Sequence, residues 1–230
     1  WDNGQHFSRT GFTWKDTELY EQIKSSWTTR SGTASSDLVF NPKAEPISDK
    51  SLTLNLNGTS FVGLRHGDTA LVEGDDYTVT GDRLTLTAAA LTRLTGERAY
   101  GLNATLHAEF SEGVPWRIDI LTSDTPVLSD ATGTATAFAV PTEFNGDQLA
   151  TMEATYADGT NAGPNDWTPF KEFDATFAPD YPAEAITLKA AFFEAVADNK
   201  PVTLTFHFWS GAKVTYVVTK SGTTVTGTVA

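Results

Sequence analysis

The polar loop at residues 161–173 places one tryptophan where it could contact a ligand. Trp167 follows Asn165 and Asp166 in a turn-rich stretch, and Glu172 lies a few residues further on. A pyranose ring offers its C–H groups to an aromatic face, while its hydroxyls bind polar side chains around the edge. This pattern predicts Trp167 as the platform for a sugar ring, flanked by Asp166 and Glu172. The alternative, which the sequence leaves open, is a structural tryptophan that plugs the edge of a β-sandwich.

Two further aromatic residues are candidates for the same role. Alternation along residues 203–209 assigns one leucine and two phenylalanines to the core face, and it assigns Thr205, His207 and Trp209 to the opposite face. Trp209 is therefore a second possible platform, with packing at the strand end as the alternative. Tyr181, which stands between an aspartate and a proline, is a possible edge contact.

No other kind of site is indicated. The four histidines stand far apart, at positions 6, 66, 107 and 207, and cysteine is absent, so no metal-ligand spacing or thiolate is available. Neither a phosphate-binding loop nor a Ser/His/Asp signature occurs. Asp75 and Asp76 could contribute oxygens to a calcium site, but a tight turn is favoured. We therefore assign no metal and no cofactor.

The charge and the hydrophobicity of the chain limit the classes of partner that it is expected to bind. The net charge of −13 argues against binding to a phosphate backbone, which requires clustered Lys and Arg. No apolar run approaches the roughly 18 residues that a membrane span requires. We expect neither a nucleic acid nor a membrane as partner, whereas a neutral glycan is compatible with the composition.

The elements that must position these side chains are predicted to be strands. Short runs that alternate with a period of two are separated by Asn-Gly, Gly-Asp and similar turn signals, which is typical of β-sandwiches. The runs lie at 52–56, 77–80, 84–87, 117–120, 132–140, 148–156, 185–196, 202–209, 213–219 and 223–229. The segment 185–196 could also be helical. The fold class is thus all-β, with two tandem immunoglobulin-like sandwich domains.

Composition shifts predict three segments. Residues 1–36 carry an amphipathic helical pattern at 17–24 and end in a small, polar stretch typical of a linker. Turn-forming residues near Pro126 mark a second boundary. The predicted domains are therefore a short N-terminal helical segment, a domain at 37–124 and a domain at 125–230.

The N-terminal segment resembles the end of the catalytic barrel of family 5 glycoside hydrolases. The resemblance is carried by Trp-Asp-Asn-Gly at residues 1–4, by Phe12-x-Trp14 and by the helix that follows. It implies that Trp1 is a remnant of the barrel cleft, where the family stacks a sugar ring. In that family the two catalytic glutamates lie on the fourth and seventh strands, whereas this segment corresponds to the eighth, so we expect no hydrolysis and no catalytic residue in this chain.

The other two segments resemble non-catalytic modules. Residues 37–124 resemble an X2-type immunoglobulin-like module through Asn57-Gly58, the pattern Leu71-x-x-Gly-Asp-Asp-Tyr-Thr-Val-x-Gly and the pair Leu91 and Leu94. Residues 125–230 are similar to carbohydrate-binding module family 46, which follows such a module in family 5 endoglucanases. Within the X2-like segment, Trp116 and Tyr77 are expected to be structural.

The resemblance implies a secreted bacterial endo-β-1,4-glucanase as the parent protein. Its expected partners are β-1,4-linked glucans, namely cellulose, mixed-linkage β-glucan or xyloglucan, together with the catalytic barrel of the same polypeptide. The first sandwich would act as a spacer and the second as the binding module, which could extend the substrate cleft. A purely structural or protein-binding tandem, without exposed platforms, is the alternative from another functional class.

Overall fold

The computed structural model describes residues 31–230. The predicted helix at 17–24, the barrel-like segment and Trp1 lie outside the described residues. Within the described part the chain is mostly β-strand, and the all-β prediction with two tandem sandwich-like domains is confirmed. Two compact units are formed, one by 31–39, Ile47–Leu94 and Ala104–Ile120, the other by Phe40–Pro46, Thr95–Asn103 and Leu121–Ala230.

The strands that precede residue 124 form two sheets. They are β1 (Thr33–Ala34), β2 (Leu38–Pro42), β3 (Lys50–Asn55), β4 (Phe61–His66), β5 (Thr69–Ala70), β6 (Tyr77–Thr80), β7 (Arg83–Leu86), β8 (Gly101–Phe110) and β9 (Trp116–Ser123), with helix α1 (Ala88–Thr95) between β7 and β8. The sheet orders are β1-β3-β7-β6 and β2-β9-β8-β4-β5. Alternation buries Leu52 and Leu54 of β3 and Leu106 of β8 in a common core.

The Gly-Asp-Asp-Tyr segment forms the tight turn that its sequence predicts. Asp76 accepts a hydrogen bond from the backbone N–H of Val72 and pairs with Arg93 at 2.7 Å. The Val72 hydrogen bond, and then Arg93, lower the pKa of Asp76, although its burial acts in the opposite direction. Tyr77 is buried, and Trp116 packs against the same core while its Nε1–H donates to the carbonyl of Ser36 at 3.2 Å.

The strands after residue 124 build one large antiparallel sheet. They are β10 (Val127–Leu128), β11 (Ala131–Thr134), β12 (Ala137–Glu143), β13 (Leu149–Tyr156), β14 (Phe177–Asp180), β15 (Ala185–Lys189), β16 (Val202–Phe208), β17 (Lys213–Ser221) and β18 (Thr224–Val229), with helix α2 (Ala190–Glu194) between β15 and β16. The order is β13-β16-β17-β18-β11-β12-β15-β14, and β10 pairs with β12. The sheet folds around a core that includes Phe138, Phe177 and Phe206.

Strand β16 shows how alternation divides the two faces of this sheet. Leu204, Phe206 and Phe208 are buried, as predicted, whereas Thr205 and His207 face the opposite side and are half-buried. The neighbouring register, with Thr205 opposite Glu153 on β13, continues the polar row. The buried residues therefore determine the orientation of β16 in the sheet, and polar side chains lie on its outer face.

The edge strand β13 is covered by the chain segment that follows it. The backbone N–H groups of Ala162 and Lys171 donate to the carbonyls of Ala154 and Met152, at 3.0 and 2.9 Å. The N–H of Ala154 donates in turn to the carbonyl of Pro169 at 2.9 Å. Unpaired backbone groups at a sheet edge invite pairing with another chain, so this segment closes the edge.

Several of the strand boundaries predicted from the sequence were wrong. The run predicted as one strand at 132–140 is two strands, β11 and β12, joined by a turn at 135–136. Residues 185–196 contain both predicted alternatives, strand β15 followed by helix α2, whose Phe192 and Phe193 are buried. The elements that were not predicted are helix α1 and strands β1, β2, β4, β5, β8, β10 and β14. None of the described helices is long and apolar enough to cross a membrane.

Candidate functional site

Trp167 stands at the tip of the loop between β13 and β14 and is 81% exposed. The tip is a turn in which the N–H of Thr168 donates to the carbonyl of Asn165 at 3.2 Å. Asn165 adopts a φ of 58°, a left-handed conformation that asparagine tolerates better than most residues. The large apolar side chain is thus presented to solvent by a defined turn.

The flanking carboxylates lie close in sequence and are both exposed. Asp166 belongs to the same turn, and its backbone carbonyl accepts a hydrogen bond from the side-chain amide of Asn161 at 2.7 Å. The backbone carbonyl of Glu172 accepts hydrogen bonds from the N–H and the hydroxyl of Thr176, at 3.0 and 2.7 Å. The main chain at both positions is therefore anchored, while both carboxylates face solvent.

Trp209 lies in the turn between β16 and β17 and is 61% exposed. Its backbone N–H donates to the carbonyl of Gln148 at 2.9 Å. The next residue, Ser210, donates from both its N–H and its hydroxyl to the carboxylate of Asp147. The buried Asp147 side chain therefore holds the turn that carries Trp209.

Tyr181 is 43% exposed and packs on the ring of Phe144, with ring centroids 4.6 Å apart. Its hydroxyl oxygen accepts a hydrogen bond from the N–H of Leu149 at 3.1 Å. Burial raises the pKa of Tyr181, although the Leu149 hydrogen bond opposes this. Part of the ring remains free to contact a ligand, while the hydroxyl has a structural partner.

The structure brings two of the three aromatic candidates to the same end of β13. Trp209 and Tyr181 bind the backbone of Gln148 and Leu149, respectively, at the start of this strand. The loop that carries Trp167 joins the strand at Ala154, six residues beyond Gln148. At about 3.4 Å per residue, these two attachment points are about 20 Å apart.

Sequence reasoning missed a group of side chains that lies along the same edge. Phe170 is 47% exposed and pairs across the edge with Glu153 of β13. Its ring centroid lies 5.9 Å from that of His207, and His207 Nε2 lies 2.7 Å from Glu153 Oε1. Alternation along β16 predicts that His207 faces away from the core. The position of Phe170 depends instead on how the loop returns to β13.

The described residues contain no cluster of side chains suited to a metal ion. No group of three or more His, Cys, Asp or Glu side chains in residues 31–230 is arranged to hold a metal ion. The arrangement instead combines exposed aromatic faces with carboxylates, which is suited to binding the C–H face and the hydroxyls of a sugar.

Comparison with protein families identifies both halves of the described chain. The model for the carbohydrate-binding domain X2 matches residues 33–120, and the model for the carbohydrate-binding domain CBM46 matches residues 124–228. The CBM46 structure from the endo-β-1,4-glucanase B (Cel5B) of Bacillus halodurans is 54% identical; the chain covers all of it with 46% of its own length, at a TM-score of 0.45. Residues 124–228 of the chain belong to the CBM46 family.

Longer relatives of this CBM46 chain are also known. Endoglucanase B from Paenibacillus lautus is 51% identical over 228 residues, which is 99% of this chain and 40% of the relative. The full-length tri-modular Cel5B of Bacillus halodurans is 44% identical with a TM-score of 0.87, over 100% of this chain and 43% of that one. The resemblance to the C-terminal part of a modular family 5 endoglucanase is thus confirmed, and the chain spans about two fifths of these relatives.

The loop of Trp167, the turn of Trp209 and Tyr181 all lie within the region matched by the CBM46 model. Trp116 and Tyr77 lie in the X2 region and pack in its core. The CBM46 family supports carbohydrate binding, whereas the parts played by Trp167, Trp209, Tyr181, Asp166 and Glu172 stay predictions.

Proposed function

We propose that the CBM46 module binds single chains of β-1,4-linked glucan, with Trp167 as the main platform. Trp209 and Tyr181 form a second contact region, and Asp166 and Glu172 accept hydrogen bonds from sugar hydroxyls. The aromatic face supplies apolar contact, and the carboxylates supply orientation. Cellulose, mixed-linkage β-glucan and xyloglucan all contain runs of β-1,4-linked glucose that such a surface would bind.

The observation that carries this proposal is the exposure of Trp167, of which 81% is accessible. A tryptophan that plugs the edge of a sandwich would be buried, and the edge is instead closed by backbone hydrogen bonds to β13. Leaving a large apolar side chain in water gains nothing for folding. The exposure of Trp209 supports glycan binding in the same way over a structural tandem without platforms.

We further propose that the chain is the non-catalytic part of a secreted endoglucanase. The relatives named endoglucanase, and the carbohydrate-binding families of both modules, support this role. The X2 domain would serve as a spacer, and the CBM46 module would extend the substrate cleft of the catalytic barrel. Because few stacking contacts are available, binding by the isolated modules should be weak.

The test is binding of the 230-residue chain to insoluble cellulose by pull-down and to soluble β-glucans by affinity electrophoresis. Trp167→Ala should lose retention, and Trp167→Phe, which keeps an aromatic face, should lose less. Val114→Ala is the matched surface control, because Val114 is exposed in the X2 region. Circular dichroism checks that every variant is folded.

Two results would contradict the proposal. Retention of Trp167→Ala equal to that of the wild type would remove Trp167 from the binding surface. Failure of the wild type to bind any glucan would instead favour the structural tandem for the isolated chain.

A further inference from the structure

The loop that carries Trp167 contains an internal cation. Lys171 is only 4% exposed, although lysine is among the residues least often buried. Its backbone N–H pairs with the carbonyl of Met152 on β13, which fixes the start of the side chain at the sheet edge. None of the ion pairs recorded for residues 31–230 involves Lys171.

The ammonium group binds the backbone of the turn instead of a carboxylate. Lys171 Nζ donates to the carbonyls of Pro164 and Thr168, at 2.9 and 3.0 Å, and lies 3.5 Å from the carbonyl of Asn165. An ammonium has three donors, and these three carbonyls match that number. A buried charge is tolerated only when it is bonded in this way.

These carbonyls belong to the turn at whose tip Trp167 stands. Lys171 binds the turn on both sides of Trp167, and the side-chain amide of Asn161 binds the carbonyl of Asp166 within it. The Lys171 side chain is buried beneath this turn, while the Trp167 side chain is exposed. The turn is thus held from inside, without any contribution from the platform itself.

We propose that Lys171 is the positioning residue of Trp167: its ammonium holds residues 164–168 in the binding geometry before a ligand arrives. The inference rests on the proposed glucan-binding role of Trp167. Preorganisation raises affinity because less conformational freedom is lost on binding. Burial lowers the pKa of Lys171, which the carboxylate of Asp166 partly opposes.

The absence of cysteine from the sequence permits a test that changes only the terminal group of this side chain, from an ammonium to a methyl group. Lys171→Cys can be alkylated in denaturant with 2-bromoethylamine and refolded. The thiolate displaces bromide and forms a thioether that ends in an ammonium, as lysine does. Alkylation with 1-bromopropane gives a neutral side chain of the same length and shape.

Two quantities are measured on the alkylated pair in the 230-residue chain. The first is the affinity for a soluble β-glucan. The second is the NMR order parameter of the Trp167 indole N–H, assigned by its absence from Trp167→Ala. The ammonium form should match the wild type in both.

The propyl form should bind about two- to twelvefold more weakly, the loss that corresponds to ordering one additional side chain on binding. Its Trp167 order parameter should also fall. Equal affinity and equal Trp167 order in the two forms would overturn the inference.

The order parameter separates this inference from the proposed function. If the wild type binds no glucan, the proposed function fails, and the order parameter alone still decides whether the ammonium fixes Trp167. Lys220→Met is the control, because Lys220 Nζ donates at 3.1 Å to a carbonyl outside this loop, that of Phe193. It should leave the Trp167 indole as ordered as in the wild type.

Lys171→Gln replaces the propyl form if the latter does not refold. Glutamine keeps N–H donors but lacks the charge and reaches fewer carbonyls. An intermediate order parameter for Trp167 is expected, and an order parameter equal to that of the wild type would again overturn the role of the ammonium.

Discussion

The separation between the two aromatic regions leads to a prediction about ligand length. The attachment points of the Trp167 loop and the Trp209 turn lie about 20 Å apart along β13. Cellobiose is much shorter than this, whereas cellohexaose is longer. We therefore expect a long chain to contact both tryptophans at once and a short one to occupy a single platform.

The expected magnitude follows from the area of one indole face. A tryptophan buries about 150–250 Å² when fully covered, and stacking on one face covers roughly a third of this, about 60 Å². At about 25 cal/mol per Å², each platform contributes about 1.5 kcal/mol, which corresponds to about tenfold in affinity. For a long chain, the double variant Trp167→Ala/Trp209→Ala should lose about a hundredfold if the two effects are additive.

Isothermal titration calorimetry of the single and double variants against both oligosaccharides measures this directly. For cellohexaose, both single variants should weaken binding. For cellobiose, Trp209→Ala should leave the affinity of the Trp167 site unchanged. Equal loss for both oligosaccharides in Trp209→Ala would refute the arrangement along β13, since a disaccharide cannot reach both platforms.

Three further predictions concern stability. Tyr216 is fully buried, and burial raises its pKa to about 12, so the stability that its neutral form contributes is complete below pH 10 and should fall by roughly 3 kcal/mol as the pH rises through 12; chemical denaturation of Tyr216→Phe should show no such pH dependence. The Val72 N–H, and then Arg93, lower the pKa of Asp76, so the stability from its ionised form is present above pH 3.8 and lost as the pH falls through the folded-state pKa; Arg93→Met should flatten part of this acid limb of the unfolding free energy and leave the part due to Val72. Gly163 has a φ of 76° and an added Cβ would lie 2.8 Å from the Phe192 ring, so Gly163→Ala should lower the unfolding free energy by at least about 1–2 kcal/mol in urea titration.

A further expected result, a control variant or a contradicting outcome checks each of these predictions. Tyr216→Phe also removes the hydrogen bond to the carbonyl of Ser129, so its unfolding free energy at neutral pH should fall by about 1 kcal/mol without a change in alkaline slope. Gly222 has a similar φ but open space around it, so Gly222→Ala should cost less than Gly163→Ala. An equal cost at the two glycines would remove the clash with Phe192 as the explanation. If Arg93→Met left the acid limb unchanged, the Asp76–Arg93 pair could not explain the loss of stability at low pH.

The faces of single strands were predictable from the sequence, because alternation is a local property. Leu204, Phe206 and Phe208 were assigned to the core and are buried. Strand β8 was missed although Ala104, Leu106 and Ala108 alternate in it, because two of its three inward side chains are small. Small apolar residues give a weak hydrophobic pattern even where they are fully packed.

The surroundings of Trp167 could be predicted only in part. The polar, turn-rich sequence indicated an exposed loop, and the side chain is exposed. The sequence did not predict the burial of Lys171, because the groups that accept its hydrogen bonds are backbone carbonyls, which every sequence contains. The approach of Phe170 to His207 depends on long-range pairing with β13, which sequence periodicity does not encode.

The loop that closes the edge of β13 divides into two parts with different tolerance to change. Its base supplies the backbone pairs to Met152 and Ala154, so insertions there would uncover the edge and favour aggregation between chains. Its tip at residues 165–168 makes none of these pairs. Mutations that alter ligand preference can therefore accumulate at the tip without exposing the sheet, which makes this loop a practical starting point for directed evolution of glycan specificity.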